Sequence, residues 1–145
     1  MAKNMPYMAK GQITAHFALW EFCNAENDEE IKIEISPEFI EHVQMLEMLR
    51  TMIGHPLDVS SGWRSKKYNE ECGGSPDSAH LVGLATDVYA EQSELPLLTR
   101  CWKAVCKAFN KVGGINYYPW GVHLCSNEDR FGNKDFTIRD KRKAA

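Results

Sequence analysis

The sequence has no run approaching the roughly 20 consecutive apolar residues that a membrane-spanning helix needs, so no membrane anchor is expected. Its opening segment, MAKNMPYMAKGQITAHF, scatters lysines without a continuous apolar stretch and does not read as a secretory signal peptide. Positive charge is not in excess: 17 Lys and Arg against 20 Asp and Glu leave a net charge of −3, which gives no electrostatic basis for binding nucleic acid. No C-x-x-C pair occurs, and the five cysteines (Cys23, Cys72, Cys101, Cys106 and Cys125) are odd in number. A zinc ribbon, a thioredoxin-type centre and a fully paired disulfide framework are thereby disfavoured. Internal repeats and low-complexity tracts are also absent. These absences point to a chain folded in a cytosol, with most of its thiols reduced and buried.

What is present is the composition of an ordinary globular domain: 145 residues, 43% apolar and 26% charged. That length fits one domain with one core. We expect a loose N-terminus over 1–12, a domain over 13–138, and a frayed basic tail over 139–145. His16 to Phe22 reads as a short helix carrying Phe17, Trp20 and Phe22 as an apolar plug. An acidic loop (26–30) and an alternating strand (IKIEI, 31–35) follow. Ser36-Pro37 opens a long helix with Phe39, Val43, Leu46, Leu49 and Ile53 on one face, closed by Gly54. Strands are expected at 57–60, 86–90, 115–118 and 122–126, the last two as a hairpin around Pro119-Trp120-Gly121. A short helix is expected over 65–71. A second long helix is expected from a Ser93 cap, with Leu98, Trp102, Val105, Cys106 and Phe109 on one face and Gly113-Gly114 at its end. The fold class is α+β, a small antiparallel sheet flanked by helices.

Four segments carry chemistry. Ser61-Gly62-Trp63-Arg64-Ser65 presents an arginine just after a strand. SAHLVGLATD (78–87) places His80 and Asp87 seven apart across a glycine turn that runs into a strand. Gly121 to Cys125 holds His123 in an apolar strand, and Tyr117-Tyr118 precedes it. His80, Asp87 and His123 are candidate metal ligands, since two imidazoles and one carboxylate leave an open coordination position as a catalytic zinc site does. From spacing alone, His80 as a loop residue satisfied by backbone and His123 as a core histidine remain open. The same donor set also suits a non-haem iron oxygenase, but those enzymes need many strands.

Taken in order, S-G-W-R-S, N-x-x-x-G-G (from Asn69), S-A-H-L-x-G-x-A-x-D-V and G-V-H resemble the M15 family of zinc peptidases. They are most similar to the short M15A-type domains of phage and prophage cell-wall hydrolases. The resemblance covers most of residues 13–126. It implies the fold of the D-Ala-D-Ala peptidases and of the hedgehog signalling domain, with Zn2+ held by His80, Asp87 and His123. It places Arg64 on a substrate carboxylate or carbonyl, Ser78 near the substrate, and Gly83 in the turn between the first two ligands. Tyr117 and Tyr118 are candidate walls of the cleft. The implied activity is hydrolysis of peptidoglycan stem peptides, as a carboxypeptidase or endopeptidase, in a phage or prophage lysis module. Such a protein is made in the host cytoplasm and acts on the wall after release.

Two departures matter. Many M15 members carry an acid three positions before the last histidine ligand, where this chain has Trp120. Close members often read H-x-D at that ligand, where this chain has Cys125. The general base is therefore not given by motif, and Glu91, Asp77, Glu128 and Asp129 are the nearby acids. Cys125 shares a strand face with His123, and is either a fourth ligand or neighbour of the metal, or a buried strand cysteine. These departures favour the alternative of a catalytically impaired, zinc-containing module that binds the wall or serves in a phage particle.

Overall fold

Ser36 and Gly54 bound the longest helix, α1 (Pro37–Ile53). The Ser36 hydroxyl accepts the Phe39 N–H at 3.0 Å, and Gly54 ends the helix in the left-handed conformation at φ 82°. Phe39, Val43, Leu46 and Leu49 are buried from this helix, as their spacing requires. The computed structural model describes residues 12–22, 36–62, 66–71, 73–74 and 78–143. The expected acidic loop and strand over 26–35, together with Cys23, Arg64, Cys72 and Asp77, lie outside the described residues.

Among the described residues two further helices, α2 (Lys66–Glu71) and α3 (Leu95–Ala108), accompany five strands: β1 (Asp58–Ser61), β2 (Ala85–Tyr89), β3 (Gly114–Tyr118), β4 (Gly121–Cys125) and β5 (Thr137–Asp140). The strand order is β1-β2-β4-β3-β5. The first three pairings are antiparallel and β3–β5 is parallel. The fold is thus α+β with an open sheet flanked by helices, and its edge strand departs from the purely antiparallel expectation. An open five-stranded sheet is not the double-stranded barrel of the oxygenases. Among the described residues no helix is long and apolar enough to cross a membrane.

Four local expectations are corrected. Trp20 is 67% exposed, so the N-terminal plug is Phe17, Leu19 and Phe22; Phe22 meets Phe39 edge-on at 5.6 Å. Helix α3 is entered through a 3-10 turn (Gln92–Glu94) that contains Ser93, so Ser93 is not its cap. The helix stops at Ala108, with Asn110 at φ 58°, rather than at the glycines. Gly113 is glycine because a Cβ there would meet Cys106 Sγ at 2.2 Å. The supposed frayed tail also supplies Arg139 and Asp140 to β5.

Strand alternation divides the sheet. Val88, Val122, Leu124 and Ile115 join the core with α1 and α3. Trp102 of α3 is fully buried and its Nε1 donates to the carbonyls of Gly114 (3.0 Å) and Cys125 (3.2 Å). His42 of α1 crosses the core, its ring nitrogens 2.9 Å from Thr86 Oγ1 and 2.7 Å from Ser126 Oγ. Burial, helped by the charges of His80 and His123, lowers the His42 pKa to about 3. In the unfolded chain the ring protonates near about 6.5, so the unfolded state gains a proton first. Stability is therefore fully present above that pH and lost as the pH falls toward the folded value. Going from pH 7 to 5, urea denaturation of metal-free protein should show a loss on the order of 2 kcal/mol through His42, with its imidazole still neutral by NMR. An unchanged stability, or a His42 ring protonated at pH 5, would contradict this assignment.

Candidate metal centre and active-site cleft

The S-x-H-x-x-G spacing is one complete capped turn. Ser78 Oγ accepts the His80 N–H at 3.2 Å, residues Ala79–Val82 form a 3-10 turn, and Gly83 closes it at φ 74°. That positive φ is readily adopted only by glycine. The chain then enters β2 and brings Asp87 onto the sheet face opposite the helices. In the β2–β4 ladder Asp87 stands directly opposite His123, so both side chains rise from the same face.

His80 Nε2 lies 3.3 Å and His123 Nδ1 2.8 Å from the same oxygen, Oδ1 of Asp87. One donor atom from each of the three residues falls within 4.8 Å of the other two. His80 Nδ1 sits 2.6 Å from the carbonyl of Gly62, which can only accept a hydrogen bond. In the neutral ring the proton is therefore on Nδ1, and Nε2 turns its lone pair toward Asp87. Gly62 is itself pinned, because a Cβ there would stand 2.8 Å from Phe22 Cα. The N-terminal plug thus holds the carbonyl that orients His80. Burial pushes the Asp87 carboxyl up, but when the two imidazoles are protonated the hydrogen bonds from His123 and His80, with their charges, outweigh it and hold the group below the usual carboxylate range.

This donor set fits a divalent metal. Two donors on a tetrahedral ion, each ~2.0 Å from it, stand about 3.3 Å apart, close to the separations found here. The three residues line a cleft of about 570 Å³.

The remaining expected site residues divide clearly. Ser78, Tyr118, Trp120 and Glu128 line the cleft. Tyr117 does not: it faces the helices and its hydroxyl lies 2.6 Å from Thr99 Oγ1. Glu91 and Asp129 are exposed and off the cleft lining. Glu128 is 4% exposed; burial would raise its pKa, but Arg139, Cys125 and Thr137 outweigh it and hold it low. Cys125 is on the site face yet outside the converging group, packed on Ala79 and Ala85, with Sγ 3.1 Å from Asn127 Oδ1. Burial pushes its thiol up to about 12.

Sequence reasoning missed Asn116, Arg139 and Lys141, which also line the cleft. Alternation in 114–118 was a usable signal for Asn116; the parallel pairing of β5 left no local one. The N-x-x-x-G-G motif has a packing reason: Asn69 is buried and accepts the Gly74 N–H at 2.8 Å, and a Cβ on Gly74 would meet Asn69 Oδ1 at 2.2 Å.

A family model described as Peptidase M15 matches residues 15–124, a span that includes all three converging residues. The chain belongs to the M15 peptidase family. M15 peptidases are metallopeptidases, in keeping with the His80–Asp87–His123 cluster. No curated protein matches the sequence. The matched span ends before Cys125, so the family assignment does not bear on that residue. Cobalt-loaded protein should show visible ligand-field bands without an intense near-ultraviolet sulfur-to-cobalt band. Such a band, lost in Cys125→Ser, would make Cys125 a ligand.

Proposed function

We propose that this M15 peptidase is a zinc enzyme that hydrolyses peptide bonds of bacterial peptidoglycan stem peptides, as a carboxypeptidase or endopeptidase. The observation that carries the zinc reading is the convergence of two imidazoles and one carboxylate at the floor of an open cleft. His80, Asp87 and His123 would hold the ion, and the Gly62 carbonyl keeps His80 in the tautomer that ligation needs. The chemistry zinc supplies in such a site is polarisation of a carbonyl and acidification of a water to a pKa near about 7.

The chain's own side chains supply the rest. Arg64 grips a substrate carboxylate, for which a planar guanidinium is suited. Ser78 keeps its hydroxyl at the cleft while capping the turn that carries His80. Tyr118 and Trp120, stacked with ring centroids 5.0 Å apart, form one wall. Of the four acids considered for proton transfer, Glu91 and Asp129 stand off the cleft. Glu128 is committed to Arg139, and its lowered pKa opposes the near-neutral value a general base needs. Asp77, next to Ser78 in the chain, is the candidate that remains.

Action in phage or prophage lysis, on the wall after release from the host cytoplasm, rests on the resemblance to M15A-type domains. A catalytically impaired wall-binding or phage structural module is the second reading, favoured by Trp120 and Cys125 at positions where relatives carry acids. One experiment separates the two. Zinc-loaded protein incubated with peptidoglycan fragments should release amines, with the cleaved bond named by product masses. His80→Ala should abolish release, Arg64→Ala should lower kcat/KM by about 10- to 100-fold, and Asp77→Asn should lower kcat at least about 100-fold with zinc retained. Stoichiometric zinc without cleavage across several wall chemotypes would favour the binding module. Full activity in Asp77→Asn would remove that residue from the mechanism.

A further inference from the structure

Asp87, His123, Asn116 and Arg139 are successive register partners across β2, β4, β3 and β5, so they form one row over the site face. Strand spacing of about 4.8 Å puts Arg139 roughly 10 Å from His123. The Arg139 guanidinium is fixed from one side. Nη1 donates to Oε1 of the buried Glu128 at 3.0 Å and to Thr137 Oγ1 at 3.3 Å, while Asn133 Nδ2 donates to the same Glu128 oxygen at 3.3 Å. Its other edge, Nε and Nη2, makes no hydrogen bond among the described residues. Two parallel N–H groups on an anchored guanidinium are the geometry that accepts a carboxylate bidentately.

Lys141 lies two residues further on, lines the same cleft, and has no carboxylate partner among the described residues. Both acids of the cleft lining are already committed, Asp87 to the histidines and Glu128 to Arg139. The far wall is therefore cationic in a chain whose net charge is −3. A cleft of one sign in a protein of the other focuses ligands of the protein's own sign.

We propose that Arg139 and Lys141 form a carboxylate-binding subsite, distinct from Arg64, that selects peptides carrying an acidic group about three extended residues from the bond cleaved. This rests on the peptidase reading of the cleft. Both residues lie beyond residue 124, where the family match ends, so the subsite is a property of this chain's C-terminal strand.

The test uses zinc-loaded enzyme and stem tetrapeptides in which each acidic group is amidated in turn. One amidation should lower kcat/KM by about tenfold or more, as loss of a charge-assisted bond does, and raised salt should shrink the difference. In Lys141→Gln the carboxylate-to-amide ratio should fall several-fold, a change that selectivity arising at Arg64 would not produce. Arg139→Gln should erase most of the ratio; because it strands Glu128 and risks misfolding, Lys141→Gln carries the decision. Equal kcat/KM for all peptides, or a ratio unchanged in Lys141→Gln, would overturn the subsite. If no peptide is cut, the peptidase reading fails, and the subsite is judged by NMR on metal-free protein. A shift of the Arg139 Nε–H resonance with the acidic but not the amidated peptide upholds it, and no shift rejects it.

Discussion

The site depends on one pairing, Asp87 opposite His123 in the β2–β4 ladder. Side chains alternate along a strand, so a slip of one residue would turn one of the two into the helix-packed core and dissolve the site. What prevents the slip is on the other face. Thr86 and Val88 of β2 and Val122 and Leu124 of β4 are fully buried beneath the helices, and His42 spans Thr86 and Ser126. Trp102 holds the carbonyls of Gly114 and Cys125, which flank the same end of the ladder. The apolar face sets the register, and the register brings Asp87 and His123 together in the candidate metal site.

His80 reaches the pair by a different route. Its turn is local, closed by the Ser78 cap and by Gly83, while its orientation is long-range, through Gly62 and the Phe22 that Gly62 packs against. The cleft therefore draws together the N-terminal plug, the loop after β1 and the central strands. A chemistry that needs three donors around one point is held by packing on both sides of the sheet.

The parts legible in the sequence were those written in local chemistry. Helix α1 was delimited by Ser36, Pro37 and Gly54 because caps are short-range devices. The S-x-H-x-x-G turn and the strand after it were legible for the same reason, and the resemblance favoured the ligand reading of His123 over that of a core histidine. What escaped depends on long-range pairing. Only the register shows that Tyr118 faces the cleft while Tyr117 reaches Thr99, and β5 pairs in parallel with a strand more than 20 residues earlier. Glu128 could not be ranked above Glu91 or Asp129 by position in the chain. Its burial follows from Arg139, a partner that only the folded sheet brings to it. Trp20 read as core because hydrophobicity gives no direction in a four-residue turn.

We propose that Asp87 and the two histidines make one metal site. Its most direct test is calorimetric titration of Zn2+ into metal-free protein, with Asp87→Ala measured alongside. We expect one ion per chain in the native protein, proton release on binding, and loss of that site in a variant that stays folded. Absence of binding in the native chain, or undiminished one-to-one binding in Asp87→Ala, would contradict it.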